Sequence, residues 1–481
     1  MTTRPVRSSA APATDELPLV VPLADGLEAE DVFLRLAARP WCLFLDSARR
    51  DPLLGRYSFV TADPFETIQV PADGSNALEQ LGSRLADFRA NHVAGLPPFQ
   101  GGAAGFWAYD LNRSLERIGP ARYDEFAVPA LAIGLYDVVV AFDHVERRAW
   151  IISQGFPEVE PAARSRRARE RAAQFRSWLD EPPAHALIVE QKLPQVAREQ
   201  LAPQFAVAGP DGLTSDFSRP TYLAAVERAI EYIRAGEIFQ VNLAQRLLFP
   251  AADSSPALYM RLRSRNPAPF AGYFDFSPFQ IASASPERFL KSADGEVETR
   301  PIKGTRQRTR GPEADLFAGD DLEQSEKDRA ENVMIVDLLR NDLARVCRPE
   351  SVRVTQLCRL ESFEFVQHLV SAVCGTLREG QGPIDLLRAT FPGGSITGAP
   401  KVRAMEIVAE LEPTARGAYC GALGYIGFDG TLDTNILIRT IIAGRGWWQA
   451  PVGGGIVAQS VPEREYEETW HKAAGLIRAL R

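Results

Sequence analysis

Lys303 sits in the stretch Pro301-Ile302-Lys303-Gly304-Thr305. Only six of the chain's 54 basic residues are lysine: Lys192, Lys291, Lys303, Lys327, Lys401 and Lys472. The rest are arginine, whose guanidinium keeps its proton and is a poor nucleophile. A lysine amine can release its proton and attack carbon. Four of the six lysines fall between 303 and 472, where the other reactive residue types also gather. Taken alone, Lys303 also reads as an ordinary turn lysine beside a glycine.

Two acidic pairs share that segment. Asp328 and Glu331 are spaced i, i+3, as are Glu465 and Glu468. On a helix each pair projects from one face, and two facing helices would form a ring of oxygen ligands. Hard oxygen donors without histidine or cysteine suit Mg2+, which retains waters and accepts a substrate carboxylate. The competing reading is two solvated helical faces. The run Gly393-Gly394-Ser395-Ile396-Thr397-Gly398-Ala399-Pro400-Lys401 is a glycine-rich turn leading into a helix. Such a turn either binds an anion through free N–H groups or is purely structural. It is not a phosphate-cradling P-loop, because no Lys-Ser or Lys-Thr follows the second glycine. Gly453-Gly454-Gly455 permits close backbone approach or makes a flexible turn. Arg439 ends a β-branched strand and needs an acid or an anionic ligand. His368, in an apolar setting, is a satisfied core group or a site residue. Glu287 is an exposed turn acid or a buried proton donor. An amine, an acid, an oxygen ring, an arginine and a glycine turn together describe a pocket for a small polyanion, with dicarboxylates favoured over phosphates.

These groups need a scaffold. The 481 residues are enough for two or three domains with a large core. Hydrophobic content of 45% and a net charge of −8 argue for a globular chain with no nucleic-acid or membrane-surface role. No run approaches the roughly 18 apolar residues of a membrane span. Pro18 and Pro22 break the N-terminal apolar patch, so no signal peptide is expected. Five scattered cysteines without CxxC spacing suggest reduced thiols in a cytoplasmic protein. Residues 1–16 are expected as a disordered tail, 17–155 as a strand-rich N-terminal region, 156–216 as a helical and irregular linker, and 217–481 as the catalytic region. Helices are predicted over 160–180, 221–235 with Gly236 as cap, 325–343, 398–411 and 463–480. Strands are predicted over 57–61, 136–142, 238–249, 270–276, 297–301, 419–428 and 434–442, with a hairpin at Asp429-Gly430. The mixture lacks strict βαβ alternation. It predicts an α+β fold with large, mostly antiparallel sheets.

Several of these stretches resemble the chorismate-utilising enzymes: Pro301–Thr305, Lys327–Asn332, Met334–Asp342 (MIVDLLRND), Phe391–Lys401 (FPGGSITGAPK), Tyr419–Tyr425, Gly453–Val457 and Glu465–Thr469. The likeness is dense over 217–480 and looser toward the N-terminus, through Gly55–Phe59. It is greatest to the branch called aminodeoxychorismate synthase component I. It implies the family fold, a β-sandwich with helices packed outside.

The resemblance implies that Lys303 attacks C2 of chorismate, that Glu287 protonates the departing C4 hydroxyl, and that ammonia then adds at C4. It implies Mg2+ bound by Glu331 and Glu468, supported by Asp328 and Glu465. It places Arg439, Tyr419, Gly455 and Lys472 around the enolpyruvyl carboxylate, with His368 and Thr397 in the same pocket. Anthranilate synthase component I is similar but carries alanine at the position of Lys303. Isochorismate-forming relatives carry a lysine where Gln240 stands. The pair found here points to C4 amination. Ser47, Asn266 and Pro267 resemble the family's tryptophan pocket, although aspartate (Asp46) replaces the glutamate common before that serine. No cysteine sits in a glutaminase-like elbow, so a separate glutamine amidotransferase subunit is expected, with a downstream aminodeoxychorismate lyase. The alternatives are anthranilate synthase component I and a non-catalytic chorismate-binding partner.

Overall fold

The computed structural model describes residues 17–183, 195–307, 319–322, 324–362 and 366–481. The expected tail and residues 184–194 of the expected linker lie outside the described residues.

Alternating apolar runs pair into two antiparallel sheets of 13 and 10 strands. Their inner faces meet. Leu43, Phe59, Phe274 and Ile281 of the larger sheet pack against Phe106, Ala132, Leu423 and Tyr425 of the smaller one. Phe59 and Tyr425 stand edge to face at 5.9 Å. Helices cover the outer faces. Ala29–Leu36, Pro161–Asp180, Ser255–Arg265 and Pro462–Ala479 bury apolar stripes on the larger sheet, and Glu326–Ala344 and Pro383–Thr390 do so on the smaller. The fold is therefore the expected α+β sandwich. Both sheets draw strands from the N-terminal and C-terminal thirds of the chain, so positions 155 and 216 interrupt neither sheet. The expected linker itself supplies two short strands, Phe205–Ala206 and Thr214–Ser215, at the edge of the larger sheet. Among the described residues no helix is long and apolar enough to cross a membrane. All five cysteines are free thiols.

Local expectations meet three differences. Gly398–Leu411 is not one helix. Gly398–Ala399 pairs as a short strand with Gln240–Val241, and the helix begins at Lys401 with Pro400 as its cap. Pro400 lacks an N–H and its ring disfavours helical geometry in the preceding residue, so the helix starts after it. The predicted strand 434–442 is two strands, Leu432–Asn435 in the smaller sheet and Thr440–Gly444 in the larger. Arg439 therefore does not end a strand. It lies in the crossing between sheets at a left-handed φ of 53°. On the helix Pro161–Asp180, expected to be solvated, Arg171 is buried and donates to Asp63 at 2.7 Å and Asp137 at 3.2 Å.

The two crossings between sheets create the site. The chain leaves the larger sheet at Ser285, passes Pro286 and Glu287, and enters the smaller sheet at Arg288. It returns through 436–439, and the Ile436 N–H donates to the Glu287 carbonyl at 3.0 Å. Where strands change sheets the layers splay, and a cavity opens there.

Candidate active site

The cavity encloses about 710 Å³ and is lined by Glu287, Lys303, Asp328, Glu331, His368, Tyr419, Arg439, Gly455, Glu468 and Lys472, among others. Ten of the twelve residues expected at the catalytic site thus meet on one surface, although they come from separate elements.

Lys303 stands on the strand Ile302–Gln307, whose register shifts against Val366–Thr376 between Lys303 and Thr305. Gly304 sits in that bulge at φ +70°, where a Cβ would lie 2.7 Å from Leu322 and 3.1 Å from the Asp328 carboxylate. The bulge re-aims the preceding side chain. Lys303 Nζ donates to the Ser395 carbonyl at 3.1 Å. Burial pulls its pKa below the ordinary lysine value, opposed by Glu331 and Glu287. Glu287 is buried at 4% exposure and accepts from Ser395 Oγ at 2.8 Å. Burial pushes its carboxyl up to about 7, opposed by the Ser395 hydroxyl and the charge of Lys303. The proton affinities of the amine and the acid are thus drawn toward each other. His368, also buried, faces the Gly304 carbonyl at 3.4 Å, and burial lowers its pKa to about 4, leaving a neutral ring.

The acids come from two helix N-termini. Ser325 caps Glu326–Ala344 by accepting from the Asp328 N–H, and the positive helix end favours the carboxylates of the first turns. Pro462 opens the second helix, with Glu465 in its first turn. Glu331 is held above the usual carboxylate range by burial, with Asp328 and Glu468 adding to the rise. Glu468 is also penalised by burial, yet Lys472 at 2.7 Å brings it below that range. Glu465 accepts from Ser460 Oγ at 2.6 Å and lies 3.6 Å from Lys327. Among the described residues no three acids close into one metal-ready cluster; Lys327 pairs with Glu331 and Glu465, and Lys472 with Glu468. The donor set is all hard oxygen, the kind that Mg2+ takes.

Gly453–Gly455 lies inside the strand Trp447–Ile456 and is not a flexible turn. It permits close approach: a Cβ on Gly454 would sit 3.4 Å from Glu468, and one on Gly455 would sit 2.9 Å from Gln240. Lys472 Nζ donates to the Gly453 carbonyl at 2.8 Å. Arg439 donates to the Lys472 carbonyl at 3.2 Å. Gln240 is fully buried, and among the described residues its carboxamide has no hydrogen-bond partner.

Two expected residues do not line the cavity. Thr397 is buried beneath it and donates to the Gly393 carbonyl at 3.0 Å. Glu465 lies behind Ser460. The glycine-rich turn meets the cavity at Ser395 and Ile396, and the Ser395 carbonyl accepts from Lys303. Ser395 is the residue to which sequence reasoning assigned no role. Its only signal was its place directly after paired glycines.

The expected tryptophan pocket is divided. Ser47 lines a separate cleft of about 110 Å³ with Pro269, Phe270 and Tyr425. Asn266 instead ends the helix Ser255–Arg265 and donates to the Gly475 carbonyl at 3.2 Å. Neither Asn266 nor Pro267 lines the cleft.

Comparison with known proteins agrees with this geometry. Residues 44–478 match the family model described as chorismate binding enzyme. The anthranilate synthase component 1 of Thermus thermophilus is 43% identical over 80% of this chain and 78% of its own length. The aminodeoxychorismate synthase component 1 of Escherichia coli is 37% identical over 94% of this chain and 96% of its own. The crystal structure of anthranilate synthase component I from Streptococcus pneumoniae superposes with a TM-score of 0.74 at 30% identity, covering 89% of this chain and 93% of that one. On these matches, and on a cavity whose groups suit a small dicarboxylate, the chain belongs to the chorismate-binding enzyme family.

Proposed function

We propose that this chain is an aminodeoxychorismate synthase component I, which converts chorismate and ammonia to 4-amino-4-deoxychorismate. One observation carries the reading: Lys303 and Glu287 both reach Ser395, the amine with its pKa lowered and the acid with its pKa raised. A neutral amine and a protonated carboxyl at one wall are what an addition–elimination needs.

In this reading the Lys303 amine bonds to C2 and both ring double bonds shift by one position. The C4–O bond breaks, and Glu287 gives its proton to the leaving hydroxyl, which departs as water. Ammonia then adds at C4, the double bonds shift back, and the lysine is released. Arg439, Tyr419, the backbone at Gly455 and Lys472 hold the enolpyruvyl carboxylate. His368 stays neutral and donates or accepts without adding charge. Glu331 and Glu468, with Asp328 and Glu465 around them, would hold Mg2+, which supplies a positive anchor for the ring carboxylate. A glutamine amidotransferase subunit supplies the ammonia, since the relatives are themselves called component 1. A lyase acts on the product.

The test is incubation with chorismate, Mg2+ and an ammonium salt. p-Aminobenzoate appearing only after lyase addition is the expected result. Direct appearance of fluorescent anthranilate would instead assign the chain to the activity named for its Thermus thermophilus relative.

A further inference from the structure

We propose that Ser395 is a positioning residue that holds nucleophile and acid in one frame, its carbonyl fixing Lys303 and its hydroxyl fixing Glu287. The inference rests on the roles proposed above for those two groups. The contacts are 3.1 Å from Lys303 Nζ to the Ser395 carbonyl and 2.8 Å from Ser395 Oγ to Glu287 Oε1. Lys303 lies on the strand Ile302–Gln307 and Glu287 in the crossing between the strands that end at Ser285 and begin at Arg288. Among the described residues, Ser395 is the one whose atoms are hydrogen-bonded to both side chains.

The turn can do this because its own backbone is immobilised. The Gly393 and Gly394 carbonyls accept from Thr397 Oγ1 at 3.0 and 3.4 Å. The Ile396 carbonyl accepts from Arg416 at 3.1 Å, and the Thr397 carbonyl from the Asn242 N–H at 2.8 Å. Every carbonyl from 393 to 397 therefore has a donor, and only at Ser395 is that donor a proposed reacting group. Ser395 is buried at 7% exposure yet lines the cavity, so bulk water does not compete strongly for its hydroxyl.

Each bond orients one reacting atom. A neutral amine has two N–H groups and one lone pair. When the carbonyl takes one N–H, the amine loses rotational freedom and its lone pair is confined to the remaining directions. The hydroxyl, by donating to Oε1 of Glu287, fixes the rotamer and plane of the carboxyl. The two groups thus face the ring with fixed spacing. The hydroxyl serves Glu287 alone, because the contact to Lys303 is made by backbone and survives a side-chain change.

That asymmetry gives the test. Ser395→Ala and Ser395→Thr are compared with the parent in the presence of chorismate, Mg2+ and ammonium chloride. Lys303 labelling by trinitrobenzenesulfonate is followed by peptide mass spectrometry. In Ser395→Ala, kcat falls about ten- to a hundredfold, the effect of one lost hydrogen bond to a reacting group. KM for chorismate stays within about twofold, and Lys303 labels at the parental rate. Ser395→Thr keeps a hydroxyl and recovers most of the lost rate. A parental kcat in Ser395→Ala overturns the proposal. So does a loss of kcat accompanied by slowed Lys303 labelling and a raised KM, which would make Ser395 a structural wall residue. A Ser395→Thr variant as slow as Ser395→Ala overturns it as well. Failure of the underlying reading is visible earlier and separately: the parent would make no 4-aminated product, or Lys303→Ala would still make it.

Discussion

Two clusters of buried charge lie on opposite sides of the same turn, and they are built oppositely. Behind it, Arg416 and Glu412 are almost wholly buried, with side chains 3% and 6% exposed. Arg416 donates to Glu412 at 2.6 and 2.8 Å and to the carbonyls of Asn242 and Ile396, while Glu412 also accepts from the Ala244 N–H at 2.8 Å. In front, Lys303 Nζ donates to the Ser395 carbonyl, and the Glu287 carboxyl accepts from the Ser395 hydroxyl and the Ile302 backbone N–H. Glu287 is as buried as Arg416 and Glu412, while Lys303 is half-buried; the rear pair is joined by a two-bond ion pair and the front pair through Ser395. A charge held by a matched counter-charge and several backbone groups supports the fold. The front pair has its proton affinities displaced by burial and remains available for chemistry.

The difference between the clusters can be broken from either side. The largest effect is expected from Lys303→Ala, in which formation of 4-amino-4-deoxychorismate falls to background while the melting temperature changes little, since Lys303 is half-buried and its amine is held by the Ser395 carbonyl. Activity assays and calorimetry on one preparation check both halves. Glu287→Gln keeps the shape of the side chain and removes its proton; kcat falls by about 10²- to 10⁴-fold. On the other side of the turn, Arg416→Met strands Glu412 and costs about 3–5 kcal/mol of stability, read from denaturant midpoints at constant m-value. A loss below 1 kcal/mol would show that the two clusters are not energetically distinct.

A smaller effect sharpens the contrast through pH. Glu287 has its folded pKa raised from an ordinary 4.5 to about 7, so between those values the folded protein binds more protons than the unfolded chain. Stability contributed by this group is therefore full below about pH 4.5, falls as pH rises, and levels off above about pH 7. The full change is at most about 3 kcal/mol. Glu287→Gln abolishes it, so the variant gains on the parent at pH 8 relative to pH 5. Equal gaps at both pH values would remove Glu287 from the set of displaced groups.

Much of this was legible in sequence where the controlling interactions are local. Ser325 before an acidic first turn marked its helix within one residue, and Asp429-Gly430 marked its hairpin. The spacing of Asp328 with Glu331 placed both at the start of one helix. Other features depend on partners far along the chain. Arg171 looked solvated among interleaved acids, yet its partner Asp137 lies 34 residues away on the opposite side of a strand and a loop. Arg439 looked like a strand end because its neighbours are β-branched, but the strands on either side belong to different sheets. Thr397 shares a motif with Ser395, but it ends the single 3-10 turn Gly394–Ile396, so its hydroxyl returns to the turn's own backbone while that of Ser395 reaches Glu287.

Residue types and spacings determined by themselves the scarce amine at 303, the hard-oxygen acids, the alternation that makes antiparallel sheets, and membership of the family. These follow from covalent chemistry and local periodicity. Tertiary structure alone decided that Glu287 and Arg439 stand at neighbouring crossings between sheets, that lysines pair with the acids, and that one serine joins the amine to the acid. Burial and distance set proton affinity and reach, and neither exists until the sheets have packed.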